Sequence, residues 1–420
     1  MDHFNYRNGQ LYAEDVSVAE IATSVGTPFY VYSTATLVRH FQLFDEALDG
    51  MDHCICYAMK AASNQAILKT LGNLGAGMDV VSGGEYRRAL SAGIPPEKVV
   101  FSGVGKTLEE ITLALKNGIR QFNVESDSEL EQISSIASSM DKIAPIAVRI
   151  NPDVDAQTHE KIATGKAENK FGIPLSRARE VYSKASQMPG INIVGIDLHI
   201  GSQLTDLKPF KKAYQKLADL TQILRQDGHK IKRLDLGGGL GIPYEKNKSA
   251  PPLPVEYGKM VKEVLGHLDC EIEIEPGRLI VGNAGILVSS VLGVKIGDNR
   301  NFLILDAAMN DLIRPAMYDA YHDIIPVKQR SSPEAVYDVV GPVCETGDTF
   351  AKKRTMPKLT ESDLVAFRSA GAYGAVMSSE YNTRPLIPEV MVNKNEFSII
   401  RKRPSYEEII DRDIIPNWLK

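Results

Sequence analysis

The sequence is poor in cysteine, in long apolar runs and in net charge. Its four cysteines, Cys54, Cys56, Cys270 and Cys344, are too few and too irregularly spaced for a disulfide framework or a zinc cluster, so we predict no metal site and a reducing cytoplasm. No run approaches the roughly eighteen apolar residues of a membrane span, and the amino terminus lacks a secretory signal. With 48 basic and 53 acidic residues, the chain also lacks the concentrated positive charge that nucleic acid attracts. We therefore expect neither a nucleic-acid nor a membrane partner.

The chain contains eight short apolar runs that alternate with segments of helical period. At 420 residues with 43% hydrophobic content, it is long enough for two domains. The runs typical of strands are 54–58, 78–81, 99–102, 121–124, 146–150, 193–200, 233–236 and 271–275. Alternating strands and helices indicate a parallel sheet, and eight units predict a closed (β/α)8 TIM barrel over residues 31–275.

The pattern changes after residue 275. The stretches GILVSSVLGVKI, NFLILDA, DLVAFRS and EVMVNKNEFSIIRKR are typical of strands joined by short turns. We therefore predict a C-terminal all-β domain, a β-sandwich or barrel-like fold, over residues 276–420. Residues 1–30 are also strand-like, and we expect them to pack with this β domain.

Polar residues and glycines occur where the predicted barrel strands end. They are Lys60, Asp79, Arg149, Asn151, His199, the glycines 237–239 and the segment Glu275-Pro276-Gly277-Arg278. Singly, each has an ordinary structural interpretation: a lysine on the surface, a histidine in the core, a tight turn, an ion pair. Together they converge on the barrel mouth where this fold builds active sites and binds phosphate.

This set of residues suits pyridoxal 5'-phosphate. Glycines let backbone N–H groups approach a phosphate, a lysine can hold an aldehyde as a Schiff base, and a glutamate can keep a pyridine nitrogen protonated. A protonated pyridine ring is the electron sink that loss of CO2 from an amino acid requires.

Longer motifs resemble a known family. CYAMKAASN at 56–64 resembles the YAxKAN segment of the pyridoxal-phosphate-dependent barrel decarboxylases, and HIGSQ, GGG and EPGR follow in that family's order. Stretches beginning at Arg149, Asp306, Gly341 and Gly371 resemble the members that convert meso-2,6-diaminopimelate to L-lysine and CO2. The resemblance covers nearly the whole chain and implies that carboxy-lyase activity, the last step of lysine biosynthesis.

The resemblance also implies roles for cofactor-binding residues. Lys60 would hold the cofactor as a Schiff base, His199 would stack on its ring, and Glu275 would pair with the ring nitrogen. Asp79 is expected beside them. The residues expected at the phosphate are Ser202, Gly238, Gly239, Gly277 and Tyr373.

A second set of residues would bind substrate. Arg278, Arg314 and Tyr318 would take the distal carboxylate, with Tyr373 nearby, and Glu345 would take the distal ammonium. Cys344 would join Lys60 and His199 as a catalytic residue by protonating the reacting carbon. In this family Cys344 and Glu345 come from the partner subunit, so a homodimer with shared active sites is expected.

Three alternatives remain open at this point. An ornithine- or arginine-type decarboxylase would need no distal carboxylate clamp, and a barrel alanine racemase normally has arginine rather than Glu275 at the ring nitrogen. A noncatalytic partner-binding relative would not need to keep Lys60, Glu275 and Cys344. The sequence departs from the usual family pattern at Ala62 and Glu380, where asparagine is common.

Overall fold

The structure is a computed structural model that describes residues 2–156, 158, 162, 164–165, 168–245 and 250–419. It divides into two compact units. The barrel unit comprises Val38–Pro243 and Lys248–Ile280, and the β unit comprises Met1–Leu37, Tyr244–Asn247 and Val281–Lys420. Within the described part of the chain, no helix is long and apolar enough to cross a bilayer.

The first elements of the β unit are three short antiparallel strands and a helix. They are β1 (Phe4–Arg7), β2 (Gln10–Ala13), β3 (Val16–Ser17) and α1 (Val18–Val25), followed by β4 (Phe29–Ser33) and α2 (Thr34–Ala47). The boundary between the units lies after residue 37 rather than after residue 30, because β4 is a sheet strand of the β unit.

Eight parallel strands close the barrel, as the sequence predicts. In chain order they are β5 (His53–Ala58), β6 (Gly77–Val80), β7 (Val99–Phe101), β8 (Gln121–Val124), β9 (Ala144–Asn151), then, after the short β10 (Ile173–Pro174) beside β9, β11 (Ile191–Asp197), β12 (Arg233–Asp235) and β13 (Glu271–Ile274). Pairing of β13 with β5 and of β8 with β9 completes the ring.

Helices follow most of these strands. They are α3 (Gln65–Asn73), α4 (Gly83–Ser91), α5 (Leu108–Asn117), α6 (Asp127–Ser139), α7 (Ala178–Gln187), α8 (Lys208–Gln226), α9 (Pro254–Leu265) and α10 (Arg278–Val281). The hydroxyls of Ser82, Thr107 and Ser126 accept hydrogen bonds from backbone N–H groups in the first turns of α4, α5 and α6. Each such cap stabilises its helix by about 1 kcal/mol and fixes the loop that leaves the carboxyl end of a barrel strand.

The strands are buried on both faces, but the barrel interior is polar. At the amino ends of β5 and β13, Cys54 Sγ lies 3.8 Å from Cys56 Sγ, and the Glu273 carboxylate is within 4.8 Å of both. Arg120 Nε donates to Glu273 at 2.6 Å. Arg120 and Arg233, which lies 3.9 Å from the same carboxylate, supply positive charge at that end of the barrel, opposite the strand ends that carry the site described below.

The β unit is built on a sheet of strand order β18-β17-β15-β14-β4-β20-β21, with β19 pairing with β14 and β16. Its elements are β14 (Gly285–Ile296), β15 (Asn301–Leu305), α11 (Arg314–Tyr318), β16 (Ile324–Pro326), β17 (Glu334–Val340), β18 (Thr349–Pro357), β19 (Leu364–Phe367), β20 (Glu389–Asn393), β21 (Glu396–Arg401) and α12 (Tyr406–Ile410). Phe4, Leu11, Phe29 and Val31 share one hydrophobic core with Val288 and Val390. The predicted separate β domain is therefore confirmed.

Candidate active site

Lys60 lies immediately after β5, in a single turn of 3-10 helix over Met59–Ala61. Its Nζ donates to Asp79 Oδ2 in β6, where Asp79 is fully buried. Among the described residues, Asp79 Oδ1 has no hydrogen-bond partner. The buried Asp79 carboxylate thus holds the Lys60 amine at the carboxyl ends of the barrel strands. Its other oxygen is available to accept a hydrogen bond from another donor.

A cavity of about 410 Å³ opens beside this pair. It is lined by Lys60, Val81, Ser102, Gly103, Val104, Gly105, Arg149, Thr164, Phe171, Asp197, His199 and Glu275. Its volume is in the range of small-molecule sites, and charged groups of both signs converge in it. The structure therefore brings together, within the barrel unit, three residues that the sequence assigns to the cofactor: Lys60, His199 and Glu275.

Glu275 follows β13 and is held by two neighbouring side chains. Its Oε1 accepts hydrogen bonds from Ser102 Oγ at 3.2 Å and Asn123 Nδ2 at 3.4 Å. Burial raises the pKa of Glu275 well above its usual range, and the charges of Asp79 and Asp197 raise it further, whereas Lys60 lowers it. This carboxyl will ionise readily only when a cation lies against it, as a protonated ring nitrogen would.

His199 follows β11 and borders the same cavity. Gly238 N donates to His199 Nδ1 at 3.1 Å, so Nδ1 carries the lone pair and the ring proton is on Nε2. Burial lowers the pKa of His199 well below its usual value, and the charges of Arg149 and Lys60 lower it further. The imidazole is neutral and can present its flat face to an aromatic ring.

The glycine loop after β12 has no room for side chains. A Cβ at Gly238 would lie 2.3 Å from Glu275 O, and one at Gly239 would lie 2.4 Å from Gly201 O. Gly239 also has a φ of +116°, a conformation that favours glycine. The loop therefore exposes backbone rather than side chains, as a phosphate cradle requires.

We expect Gly239→Ala to destabilise the protein by about 1–3 kcal/mol, because the alanine adds both backbone strain and a contact with Gly201 O. The measurement is the midpoint of thermal unfolding. Gly84→Ala is the matched control, since a Cβ there meets only Ser82 Oγ at 3.7 Å. Equal midpoints for the two variants would contradict the steric interpretation of this loop.

Ser202 and Arg278 lie together in the barrel unit. Arg278 Nη2 donates to Ser202 Oγ at 3.0 Å and Arg278 Nε at 3.3 Å. The sequence assigns these residues to the phosphate and to the distal carboxylate respectively. Gly277 is close to the backbone turn that carries Lys60, because a Cβ there would lie 3.0 Å from Ala61 Cβ and 3.1 Å from Ala58 O.

Arg149, which the sequence places at the barrel mouth, also borders the cavity, as do Ser102 and Asp197, which the sequence did not identify. Arg149 Nη1 donates to Glu125 Oε1 at 2.7 Å, and Arg149 Nε lies 3.9 Å from Asp197 Oδ2. The Arg149 guanidinium lies over the Phe171 ring, 4.8 Å from its centroid. Asp197 is the last residue of β11, and Ser102 directly follows β7. The two-residue spacing from Asp197 to His199 is the signal that could have identified Asp197.

Burial raises the pKa of Asp197 from 3.8 to about 7, although Arg149 opposes the shift. Between about pH 4 and pH 7, the folded chain holds a proton on Asp197 that the unfolded chain has lost. The contribution of this carboxyl to the free energy of unfolding therefore falls as pH rises through this window.

We expect Asp197→Asn to stabilise the protein progressively relative to wild type as pH rises from 5 to 7.5, because asparagine cannot ionise. The measurement is the unfolding midpoint of both proteins, without added cofactor, across that range. The control is Asp219→Asn, which removes a carboxylate from the exposed face of α8 rather than from the barrel interior. If the difference in unfolding midpoint between Asp197→Asn and wild type did not change with pH, Asp197 would not be a buried carboxyl with a raised pKa.

The other residues assigned from the sequence lie in the β unit. Arg314 begins α11 and is buried, Tyr318 ends that helix, and Tyr373 has a φ of +55°. Cys344 and Glu345 are exposed on the loop between β17 and β18. That loop is fixed, because the Asp348 carboxylate accepts hydrogen bonds from Met309 N and Val343 N, each at 2.7 Å.

A family model describes most of this arrangement. Residues 34–282, which include the whole barrel, match the pyridoxal binding domain of pyridoxal-dependent decarboxylases. The chain belongs to the pyridoxal-dependent decarboxylase family. Its named relatives are decarboxylases, so a carboxy-lyase reaction is the activity of this family, and the family model implies pyridoxal phosphate as its cofactor.

Similar members of the family extend over the entire chain. Diaminopimelate decarboxylase of Vibrio cholerae is 52% identical, with 96% of each chain covered, and that of Zymomonas mobilis is 49% identical, with 99% of each covered. The crystal structure of diaminopimelate decarboxylase from M. jannaschii in complex with L-lysine superposes with a TM-score of 0.95 at 37% identity, covering 100% of this chain and 99% of that one. Both units thus have counterparts in these pyridoxal-dependent decarboxylases.

Proposed function

We propose that this pyridoxal-dependent decarboxylase converts meso-2,6-diaminopimelate to L-lysine and CO2. The observation that carries the proposal is the barrel cavity in which Lys60, paired with buried Asp79, lies with His199 and Glu275. Near full-length similarity to diaminopimelate decarboxylases supports the choice of substrate.

The residues present fit pyridoxal 5'-phosphate. Among the residues that the structure describes, Asp79 Oδ1 has no hydrogen-bond partner, and the glycine loop has no room for side chains. A bound cofactor would use both features. Lys60 would hold the aldehyde carbon, His199 would lie against the ring, and Glu275 would face the ring nitrogen. The phosphate would lie at the backbone of Gly238, Gly239 and Gly277, with Ser202 and Tyr373 as further donors.

When bound, pyridoxal 5'-phosphate accepts the electron pair released as the carbon–carboxylate bond breaks. Glu275 would hold a proton at the ring nitrogen, because burial disfavours its charged form unless a cation lies beside it. Asp79 orients the Lys60 amine, and His199 shields one face of the site from water. Cys344 Sγ donates the proton that replaces CO2.

We assign substrate discrimination to four further residues. Arg278, Arg314 and Tyr318 bind the distal carboxylate, and Glu345 binds the distal ammonium. A diamine or a monocarboxylic amino acid that lacks one of these groups leaves a charge unpaired, which can cost roughly 10⁴-fold in specificity.

We also infer that the active protein is a homodimer in which Cys344 and Glu345 serve the site of a second copy. Exposure of both residues on a fixed loop of the single chain supports this. All four cysteines are free, which supports a reducing compartment such as the cytoplasm.

The direct test is CO2 release by the purified protein with pyridoxal 5'-phosphate. We expect turnover of meso-diaminopimelate and little or none of ornithine, arginine or lysine. Turnover of ornithine or arginine instead would retain the family and the cofactor but refute the substrate assignment. Absence of turnover, together with no absorbance from bound cofactor, would favour a noncatalytic relative.

A further inference from the structure

Arg314, which we assign to the distal carboxylate, is held from two sides within the β unit. Its Nη1 lies 2.7 Å from His322 Nε2. Its Cζ lies over the Tyr244 ring, 4.8 Å from the centroid, and the rings of Tyr244 and His322 meet edge to face at 5.5 Å. Arg314 and His322 are both buried. Two aromatic groups thus define the plane and the direction of this guanidinium.

The protonation of His322 follows from its partners. Nδ1 lies 2.9 Å from the backbone oxygen of Arg368, which can only accept, so Nδ1 carries the proton. Nε2 faces Arg314 Nη1, which can only donate, so Nε2 carries the lone pair. His322 is therefore a neutral acceptor of one fixed tautomer, and a lysine or arginine at its position could not accept this hydrogen bond.

The backbone around His322 is also fixed. Arg368 N donates to Asp323 O at 2.8 Å, just beyond β19, and Arg354 Nη2 donates to His322 O at 3.0 Å. These contacts link the segment between α11 and β16 to β18 and β19. His322 cannot follow a displaced Arg314, so the hydrogen bond orients the arginine rather than the reverse.

We propose that His322 and Tyr244 are positioning residues that orient the Arg314 guanidinium and so set the selectivity for ligands with a distal carboxylate. This inference rests on the proposed function, because it assumes that Arg314 binds that carboxylate. An arginine that must form a paired, planar contact with a carboxylate loses affinity when its plane is free to rotate.

The reaction itself provides a matched pair of ligands. Because the scissile carboxylate leaves as CO2, the single carboxylate of the product L-lysine is the distal one. 1,5-Diaminopentane is L-lysine without that group. The ratio of their dissociation constants therefore isolates binding of the distal carboxylate from binding of the two amines.

The test measures both dissociation constants for the holoenzyme by calorimetry, alongside kcat and KM for meso-diaminopimelate. His322→Leu should reduce the preference for L-lysine over 1,5-diaminopentane by about tenfold or more, the size expected for loss of a hydrogen bond to a charged group. KM should rise more than kcat falls. His322→Gln, whose amide oxygen can again accept from Arg314, should recover most of the preference. The matched control His267→Leu, at an exposed position of the barrel unit, should leave it unchanged.

Arg314→Ala separates this inference from the proposed function. If Arg314→Ala abolishes the preference but His322→Leu and Tyr244→Leu both keep it, the positioning role is refuted and the substrate assignment stands. If Arg314→Ala itself keeps the preference, the assignment of Arg314 fails, and the inference fails with it. Tyr244→Leu, which removes the ring that lies against the Arg314 guanidinium, provides the answer if His322→Leu does not fold.

Discussion

Lys60→Ala should lose essentially all decarboxylase activity, a fall in kcat on the order of 10⁴-fold or more, as for removal of a residue that reacts covalently. The structure gives the reason, since Lys60 is the amine in the barrel cavity and Asp79 holds it there. The visible absorbance of the bound cofactor should disappear as well. Both are measured on protein loaded with pyridoxal 5'-phosphate, by CO2 release and by spectrophotometry after gel filtration.

Lys211→Ala is the matched control. Lys211 lies on α8 of the same barrel, where it forms an exposed ion pair with Glu263 at 2.7 Å, and such pairs contribute about 0–1 kcal/mol. This variant should keep both activity and colour. A Lys60→Ala protein that remained yellow and active would require another residue to hold the cofactor. The assignment of Lys60 as the residue that binds the cofactor aldehyde would then be wrong.

The barrel strands are where the sequence and the structure agree most closely. Strands of a parallel barrel are buried by helices outside and by one another inside, so each reads as a short apolar run bounded by polar residues. The predicted run 193–200 extends beyond β11, which ends at Asp197. Leu198 and Ile200 remain buried after the backbone has left the sheet, and apolar character alone cannot mark that point.

The sequence alone does not predict which strands pair when they lie far apart along the chain. β4 lies between β14 and β20, partners more than 250 residues away, and its five residues are all buried. The sequence does not predict β17 or β18, and β18 is obscured by its charged run Lys352-Lys353-Arg354. A charged strand at the edge of a sheet resists pairing with other chains, so its composition reflects its position rather than its conformation.

The same limit applies to the site. Motifs predict residues with a chemical role, such as Lys60 and Glu275, because their types suit the proposed chemistry. Residues that orient them are recognisable only by proximity: Ser102 and Asn123 reach Glu275 across the barrel, and His322 reaches Arg314 from a separate segment. Their side chains are common ones at unremarkable spacing.

A mixture of two inactive variants, Lys60→Ala and Cys344→Ala, should recover activity. Cys344→Ala alone should lose roughly 10²–10⁴-fold, as for removal of a proton donor. If Cys344 serves the second copy, a mixed dimer has one site with both residues intact and one with neither. With random exchange between equal amounts, about a quarter of all sites should be intact, as the two-fold symmetry of a homodimer requires.

The control for this experiment is a mixture of Lys60→Ala with Glu275→Ala. Both residues belong to one barrel cavity, so every site in every dimer lacks one of them and exchange cannot restore activity. Exchange itself is verified by mass spectrometry of tagged subunits. If exchange occurs and Lys60→Ala with Cys344→Ala stays as inactive as this control, then Cys344 acts in its own chain. The exposure of Cys344 and Glu345 on the loop fixed by Asp348 would then not be explained by a role in the site of a second copy.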